Sequence, residues 1–308
     1  MKLSVDAFAR AKAFLQGSAR PLERALFLHA FEGASASGAL GALEAFRNRD
    51  GGFGHALEPD LWLPASSVLC TTEALHVLRE LDVPLDHEFV TGAVDWLVAA
   101  FDPELGAWRQ VTQEAQGHPH AEHWKWELHA DGTKWPVGVL PRAEVLSHLW
   151  RSRDRVPREI LEDQTTLLVN DFATDEPFGP DSVARCESFV RTQSAPSSAR
   201  EAVARRMRDV GVAIVSRDAK EWTGYAAKPL KLAPLPDCVL AEPLAEDVQR
   251  NLTWEIEHQD ADGSWAPNWS WGEAFAEEWA EAQRWWRGHI TLHTLRSLRA
   301  YGRTSEDG

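Results

Sequence analysis

A short turn that occurs twice in the chain limits the possible folds more than any other feature. "DGGF" ends at Phe53 and "DGSW" ends at Trp265, and each places an aspartate, a glycine and an aromatic residue beside helical periodicity. Glycine adopts the left-handed backbone that ends a helix and reverses the chain, and a carboxylate upstream accepts N–H bonds in the turn. The aromatic side chain is expected to insert between neighbouring helices. The predicted unit is therefore helix, turn, helix.

Looser copies of this turn, together with helical periodicity along most of the chain, predict a repeat architecture. "ELGAW" ends at Trp108, "EPFG" contains Phe178 and "WTGY" ends at Tyr225, while only "VGVAIV" at 210–215 has the pattern of a strand. Stacked helix pairs bury their apolar faces by closing into a ring or by extending as a solenoid. We predict an all-α fold, a single α/α toroid with a central cavity over 1–303, and an open solenoid is the alternative.

Three stretches depart from the repeat. The insert 109–136 is polar and rich in His and Trp, and the segment 216–243 contains four prolines in "KPLKLAPLPDCVLAEP", which exclude a continuous helix. Long irregular loops in a compact helical domain are commonly functional. The tail 304–308 is expected to be disordered.

The balance of charge excludes one class of partner. The 308 residues contain 47 acids and 32 bases, for a formal charge of -15. Nucleic acids and anionic membranes are bound through clustered Lys and Arg, so neither is an expected partner. No stretch reaches the length of a transmembrane segment without a charge, and the sequence does not predict an oligomeric state.

The cysteines and tryptophans bear on location and on the cavity. Three widely spaced cysteines, Cys70, Cys186 and Cys238, do not form a disulfide framework, which predicts the cytoplasm. Fifteen tryptophans stand against two tyrosines. This excess predicts either thick packing between helices or an aromatic-lined cavity.

The turns resemble those of a known superfamily. "QDADGSW" resembles the QW-type repeat of squalene–hopene cyclases, and "RDGGFG" resembles a turn of protein prenyltransferase β subunits. Both groups share an α/α toroid, and "DGGFGHALEPD" is similar to uncharacterised bacterial members of that superfamily. The resemblance implies a protein that binds, and can transform, an isoprenoid-like apolar molecule in an aromatic-lined central cavity.

The chemistry of the superfamily transfers only in part. The Asp-x-Asp-Asp motif of the cyclases and the Asp-Asp-x-x-Asp motif of the class I synthases are both absent from the sequence. The prenyltransferases bind zinc through an Asp-x-Cys pair and a later His, which resembles Asp237, Cys238 and His293 here, although Asp237 and Cys238 lack the spacer residue. A buried structural cysteine is the alternative.

Candidate catalytic residues follow the first turn. His55, Glu58 and Asp60 lie where the rim of a toroid cavity is expected, and carboxylates beside a histidine at a pocket mouth can act as general acid and base. As rim residues they are not expected to support the core. The alternative is structural, because acids near a helix start interact favourably with its dipole.

Candidate metal ligands and substrate-binding residues lie in the insert and after the second turn. His118, His120 and His123 have the spacing of three imidazole ligands for zinc or another divalent ion, and a polar surface loop is the alternative. Four tryptophans form the second set: Trp124, Trp126, Trp269 and Trp271. Their rings can line an isoprenoid site or stack on sugars, and packing between repeats is the alternative.

Two further functions are alternatives to the isoprenoid-binding hypothesis. The first is an α/α-barrel carbohydrate-active enzyme that uses paired carboxylates and stacking tryptophans. The second is a non-catalytic scaffold or lipid-binding protein, which the missing aspartate motifs favour.

Overall fold

The regular secondary structure of the described residues is helical. A computed structural model describes residues 1–126, 139–173 and 179–305, and over these ranges the chain forms twelve α-helices and no β-strand, which confirms the all-α prediction. The helices are α1 Val5–Ser18, α2 Pro21–Glu32, α3 Ser37–Glu44, α4 Val68–Glu80, α5 Glu88–Ala99, α6 Val139–Arg151, α7 Arg158–Ala173, α8 Pro180–Val190, α9 Ser197–Ile214, α10 Pro229–Leu232, α11 Ala245–Glu257 and α12 Ala276–Ala300. The strand-like stretch at 210–215 lies almost wholly in the end of α9.

Local sequence sets the helix ends. Helix α2 begins with Pro21, a residue suited to the first turn, and ends at Gly33, whose φ of 69° is left-handed. Helix α4 begins at Val68, four residues after Pro64, because the Ser67 side chain caps it by accepting the Cys70 N–H at 3.1 Å.

Contacts between residues divide the chain into two compact units. The first comprises 1–44 and 211–308, and the second comprises 45–210. Each unit contains one of the two clear turns. The predictions of one domain and of a closed ring stay predictions.

The first turn, 48–53, lies in the second unit. The N–H of Asn48 donates to the carbonyl of Gly52 at 2.9 Å, and the N–H of Gly52 donates to the carboxylate of Asp50 at 3.0 Å. The next N–H, of the buried Phe53, donates to the hydroxyl of Thr71 on α4 at 3.0 Å. The turn is thus tied to the helix that follows it.

The second turn, 260–265, repeats these bonds in the first unit. The N–H of Asp260 donates to the carbonyl of Ser264 at 2.9 Å, and the N–H of Ser264 donates to Asp262 at 3.0 Å. The N–H of the buried Trp265 donates to the hydroxyl of Thr291 on α12 at 3.1 Å. The two turns therefore share one hydrogen-bond pattern.

Each turn also packs its left-handed glycine against a helix backbone. A Cβ on Gly51, at φ 93°, would lie 2.7 Å from the carbonyl oxygen of Gly92 on α5. A Cβ on Gly263, at φ 88°, would lie 2.3 Å from the carbonyl carbon of Arg10 on α1. Helix α1 therefore contacts the glycine of the second turn in the same way as α5 contacts the glycine of the first turn.

The chain ends meet beside this contact. Helix α1 packs on α12, Leu3 pairs with Thr304, and the N–H of Ser305 donates to the carbonyl of Leu3 at 3.2 Å. Two residues of the tail 304–308 are thus held by the N-terminus. Residues 306–308 lie outside the described ranges.

The looser turns match to different degrees. Trp108 is buried, and its indole N–H donates to the carbonyl of Leu97 on the preceding helix at 2.8 Å. In "WTGY" the buried aromatic is Trp222, and Tyr225 is 62% exposed, so Tyr225 does not insert between helices. The turn at Phe178 lies outside the described residues.

The irregular stretches contain short helical turns. The described part of the insert 109–136 forms 3₁₀ turns at Gln113–Gly117 and Glu122–Trp124, and the rest of it, 127–136, lies outside the described residues. The segment 216–243 contains a 3₁₀ turn at Glu221–Thr223 and the four-residue helix α10. None of the described helices combines the length and apolarity that a membrane crossing requires.

Candidate functional site

The acids predicted to lie at an exposed rim are buried in the structure. Glu58 is 8% exposed and Asp60 is 3% exposed. They lie in a compact loop that closes where the N–H of His55 donates to the carbonyl of Leu63 at 2.9 Å. The expected position at an exposed rim is therefore wrong for Glu58 and Asp60, because the loop folds back on itself and encloses both acids. That Glu58 need not support the core stays a prediction.

The insert packs along this loop and joins two of the predicted clusters. Leu61 pairs antiparallel with His120, and the N–H of Ala121 donates to the carbonyl of Asp60 at 2.9 Å. The Nε2 atom of His123 consequently lies 4.0 Å from Oδ2 of Asp60. Burial lowers the pKa of His123, and the negative charges of Asp60 and Asp181 oppose that shift.

The contact described for His55 is with the first turn and not with these acids. Its side chain is exposed, its φ is 53°, and its Nε2 atom lies 2.9 Å from the amide oxygen of Asn48. The contact links the loop to the first turn. His55 therefore has a partner in the first turn, and its role as an acid or base stays a prediction.

The three histidines of the insert do not form a metal site in the structure. Nδ1 of His120 lies 2.7 Å from the carbonyl oxygen of His118, while His123 faces Asp60. Across 1–126, 139–173 and 179–305, no group of three His, Cys, Asp or Glu side chains has an arrangement suited to a metal ion. The same holds for the zinc set suggested by resemblance, Asp237, Cys238 and His293, in which the cysteine is buried and the other two side chains are exposed.

The structure reveals a polar cluster that was not predicted. Helix α6 packs on both α4 and α8, and each of the three helices carries polar residues three or four positions apart, so that they share one face. In chain order these residues are Glu73, His76 and Arg79 on α4, Glu144, Ser147, His148 and Arg151 on α6, and Asp181, Arg185, Ser188 and the adjoining Thr192 on α8. Polar residues at helical spacing along each of the three helices were the signal available in the sequence.

Glu144 is the centre of this cluster. It is 2% exposed, and its Oε1 atom lies 3.1 Å from Nε2 of His76 and also accepts from the guanidinium of Arg185. Burial acts to raise the pKa of Glu144, but the Arg185 charge and His76 outweigh it and lower that pKa to about 2. The carboxylate is therefore ionised at neutral pH, and it fixes the orientation of the His76 ring.

A second histidine lies against the first. The ring centroids of His76 and His148 are 4.5 Å apart, in an edge-on arrangement. His148 is 2% exposed, and neither of its ring nitrogens has a hydrogen-bond partner among the described residues. Burial, followed by the nearby charges of His76, Arg79 and Arg151, lowers the pKa of His148 well below its usual value. His148 is therefore a neutral imidazole at neutral pH.

Glu58 and Glu73 extend the cluster. The pKa of Arg185 is raised chiefly by Glu144, against burial, and Glu73 and Glu58 add to the effect. Burial raises the pKa of the Cys70 thiol to about 11, and Glu58 and Glu73 also act on it. Cys70 is thus protonated and unsuited to be a nucleophile. Of the predicted residues, Glu58 therefore belongs to the cluster around Arg185.

The four candidate tryptophans divide between the two units. In the second unit, Trp124 is buried beside His123, with ring centroids 4.9 Å apart, and Trp126 is half-buried with the Arg109 guanidinium 5.7 Å from its ring centroid. In the first unit, Trp271 is buried with its ring 5.7 Å from that of Trp279. These positions fit packing as well as they fit binding.

The fourth tryptophan belongs to an aromatic row in the first unit. The half-buried Trp269 has its ring 6.3 Å from Tyr225 and 5.0 Å from Trp286, with edge-on geometry in both pairs. Tyr225 also lines an open groove of about 540 Å³ together with residues 214–218. The exposed end of the row therefore opens onto a cavity.

The cluster on α4, α6 and α8 combines the groups that acid–base chemistry requires. It contains a half-buried imidazole held by an ionised carboxylate, a second, neutral imidazole, and a guanidinium among three glutamates. Comparison with known proteins finds no matching family model and no curated protein of significant sequence similarity.

Proposed function

We propose that the protein is an enzyme that applies general acid–base catalysis to a neutral, hydroxyl-bearing substrate of the carbohydrate type. The observation that carries the proposal is the contact of 3.1 Å between the half-buried His76 and the buried, ionised Glu144. A histidine held in this way can accept a proton from a hydroxyl group and return it to a leaving oxygen near neutral pH. In this scheme His76 is the acid–base residue and Glu144 is a positioning residue.

The local charge supports a neutral reacting group. The buried carboxylate of Glu144 pairs with Arg185, and Glu73 and Glu58 also act on this guanidinium. Because Arg185 is already paired with a carboxylate, it is not available to hold an anionic group such as a diphosphate. A sugar hydroxyl carries no charge and forms hydrogen bonds with carboxylates, imidazoles and guanidinium groups alike.

The aromatic row favours a second candidate function, the binding of an isoprenoid-like apolar molecule. Tyr225, Trp269 and Trp286 present a partly exposed aromatic surface in the first unit, and the turns resemble those of prenyltransferases and squalene cyclases. Aromatic rings of this kind accept apolar chains through contact area alone. Because the cyclase acid motifs are absent, this second candidate is tested as binding of the isoprenoid-like molecule without catalysis.

The first prediction separates the two functions through His76. The protein is incubated with neutral glucan oligosaccharides, with farnesol and with farnesyl diphosphate, and the products are identified by mass spectrometry. We expect turnover of the oligosaccharides and a kcat at least about 100-fold lower for His76→Ala, the range typical of a lost general acid or base.

His29→Ala is the matched control. This histidine is half-exposed in the first unit and contacts only the carbonyl of Ala34 among its hydrogen-bond partners in the described chain. It should leave kcat unchanged. Full activity in His76→Ala would contradict the proposed role. Conversion or tight binding of the farnesyl compounds alone would favour the second candidate, and inertness toward every compound would favour the scaffold.

A further inference from the structure

An anchored loop in the first unit presents an exposed tyrosine. The loop spans 216–227 and closes where the N–H of Ser216 donates to the carbonyl of Ala227 at 3.0 Å. Its middle is held by Trp222, which is 1% exposed and whose indole N–H donates to the carbonyl of Ser216 at 3.0 Å. The loop therefore has a fixed shape, and Tyr225 near its end is 62% exposed.

The Tyr225 ring is held in place although it is exposed. The Nζ atom of Lys231 lies 4.4 Å from the ring centroid and 3.3 Å from the phenol oxygen. The Trp269 ring lies 6.3 Å away with edge-on geometry, and the Asn268 amide donates to the carbonyl of Gly224, directly before Tyr225. A ligand that contacts this ring therefore meets a surface that loses little conformational freedom on binding.

Two carboxylates line the same groove and are also held in place. The groove of about 540 Å³ has Asp218, Glu221 and Tyr225 among its lining residues. The Glu221 carboxylate accepts the Ser216 hydroxyl at 2.6 Å, and the Asp218 carboxylate accepts the N–H of Lys220 at 3.0 Å. Because an ionised carboxylate has about four acceptor positions, both acids can accept further hydrogen bonds in the groove.

The chemistry of the groove selects among classes of ligand. Arg217 also lines it but pairs with Asp247 at 3.1 Å, so the two acids of the groove disfavour an anion. The charged lining likewise disfavours a purely apolar chain. An organic cation would compete with the ammonium group of Lys231, which already lies over the ring. A neutral saccharide fits all three conditions, because its C–H face packs on an aromatic ring while its hydroxyl groups donate to carboxylates.

We propose that the groove lined by residues 214–218, 221 and 225–227 is a saccharide-binding site, in which the Tyr225 ring stacks on a sugar and the carboxylates of Asp218 and Glu221 accept its hydroxyl groups. All of the described lining residues belong to the first unit, whereas His76 belongs to the second. The inference rests on the proposed function for the class of ligand alone, since a sugar can bind here whether or not it is turned over.

Calorimetric titration with neutral hexasaccharides tests the site. Maltohexaose, cellohexaose and xylohexaose are each titrated into the full chain carrying His76→Ala, which removes the proposed acid–base residue so that turnover does not deplete the probe. We expect saturable binding of at least one hexasaccharide. Tyr225→Ala should weaken its affinity at least about tenfold because the stacking surface is lost, and Tyr225→Phe, which retains the ring, should bind within about threefold.

Matched controls accompany the ring and the carboxylates. Phe275→Ala removes an aromatic ring that is 38% exposed in the same unit and is not among the described lining residues, so affinity should stay within about twofold. Glu221→Gln and Asp218→Asn should each weaken binding about three- to tenfold, because a charged acceptor becomes a neutral one. Glu242→Gln carries the same change at an exposed position outside the described lining and should have no effect.

The outcomes separate this site from the proposed catalytic function. The proposal is overturned if none of the hexasaccharides binds, if Tyr225→Ala binds like Phe275→Ala, or if farnesol binds through Tyr225 and the saccharides do not. If saccharides bind through Tyr225 but the chain with an intact His76 does not convert them, the catalytic function fails and this site stands. If they are converted and their affinity is the same with and without Tyr225→Ala, this site fails alone.

Discussion

Gly52 and Ser264 occupy equivalent positions in the two turns, but the hydroxyl that bonds the aspartate of the turn comes from a different position in each. The hydroxyl of Ser264 donates to Asp262 at 2.8 Å within its own turn. In the first turn the matching bond to Asp50, also 2.8 Å, comes from Ser66. A Cβ on Gly52 would lie 2.6 Å from the Cβ of Ser66. Gly52 is therefore a glycine because another side chain fills its space.

This assigns the two glycines different roles. The sequence pattern predicts a backbone role for both, with Gly52 at positive φ, where a β-branched residue would be strained. Only Gly51 has a left-handed backbone, at φ 93°. The strain expected for a β-branched residue at Gly52 therefore arises from the contact with Ser66.

The second prediction concerns this contact. Gly52→Ser should lower the free energy of unfolding by about 1–3 kcal/mol, as overpacking does. The double variant Gly52→Ser, Ser66→Gly should recover part of that loss, because the new hydroxyl can bond Asp50 as Ser264 bonds Asp262. Urea unfolding measures both values.

Gly54 offers the matched control for that rescue. A Cβ there would lie 2.3 Å from the backbone carbonyl oxygen of Ala65, which no side-chain deletion removes. Gly54→Ser should therefore be destabilising with and without Ser66→Gly. If Ser66→Gly restored the free energy of unfolding of Gly54→Ser as much as that of Gly52→Ser, the proposed exchange of hydroxyl groups would be wrong.

At the scale of the helices, each turn is held by a threonine of the helix that follows it. Thr71 lies 18 residues after Phe53, and Thr291 lies 26 residues after Trp265, yet both hydroxyls accept the N–H of the aromatic residue. Both threonines are buried. The turn, the aromatic residue and the next helix are consequently one structural unit, whatever the length of the loop between them.

The third prediction tests this unit. Thr71→Val should lower the free energy of unfolding by about 1–3 kcal/mol, because it leaves the buried N–H of Phe53 without an acceptor. Thr71→Ser keeps the hydroxyl and should be milder. Thr291→Val should behave like Thr71→Val in the other turn. The measurement is urea unfolding of each variant.

The neighbouring Thr72 is the control. It is also buried, but its hydroxyl donates to carbonyls of its own helix, at Val68 and Leu69, both at 3.0 Å. Thr72→Val therefore removes a donor without leaving an N–H unsatisfied. If Thr72→Val were as destabilising as Thr71→Val, the loss would reflect general packing and not the bond to the turn.

At the scale of the whole molecule, an acidic protein keeps an ionised glutamate in its interior. The formal charge is -15, yet Glu144 is stabilised by the positive charge of Arg185. Its pKa is lowered from 4.5 to about 2. Such a group stabilises the folded state fully above its unfolded pKa, and that stability is lost as the pH falls toward the folded value.

The fourth prediction follows from the lowered pKa of Glu144. Between about pH 5 and about pH 3, the wild type should lose about 2 kcal/mol of unfolding free energy through Glu144 alone. Glu144→Gln should be less stable at pH 7, because Arg185 loses its partner, but should show a flatter pH dependence over the same interval. Urea unfolding at several pH values measures both effects.

Glu104→Gln is the control for the pH dependence of unfolding over this acidic range. Glu104 is exposed, and its change removes one carboxylate from the same unit without touching the cluster. Its pH dependence should match the wild type. A wild-type slope retained in Glu144→Gln would mean that other carboxylates govern acid unfolding.

The sequence by itself determined the helical class and the chemistry of the turns. Helical periodicity and the aspartate–glycine–aromatic pattern act over a few residues, so the two turns and the packing of Phe53 and Trp265 were predictable. That the loop after the first turn carries catalytic residues stays a prediction. Its burial was not predicted, because the loop closes between His55 and Leu63, eight residues apart, and pairs with the distant insert.

Only the tertiary structure decided the candidate site. His76, Glu144 and Arg185 lie on three helices and are separated by 68 and 41 residues, so no local pattern connects them. The histidines of the insert had a spacing suited to a metal, yet backbone pairing turned His123 toward Asp60 instead. A spacing along the chain fixes which side chains share a face of one helix, whereas the partners across helices are fixed by how those helices pack.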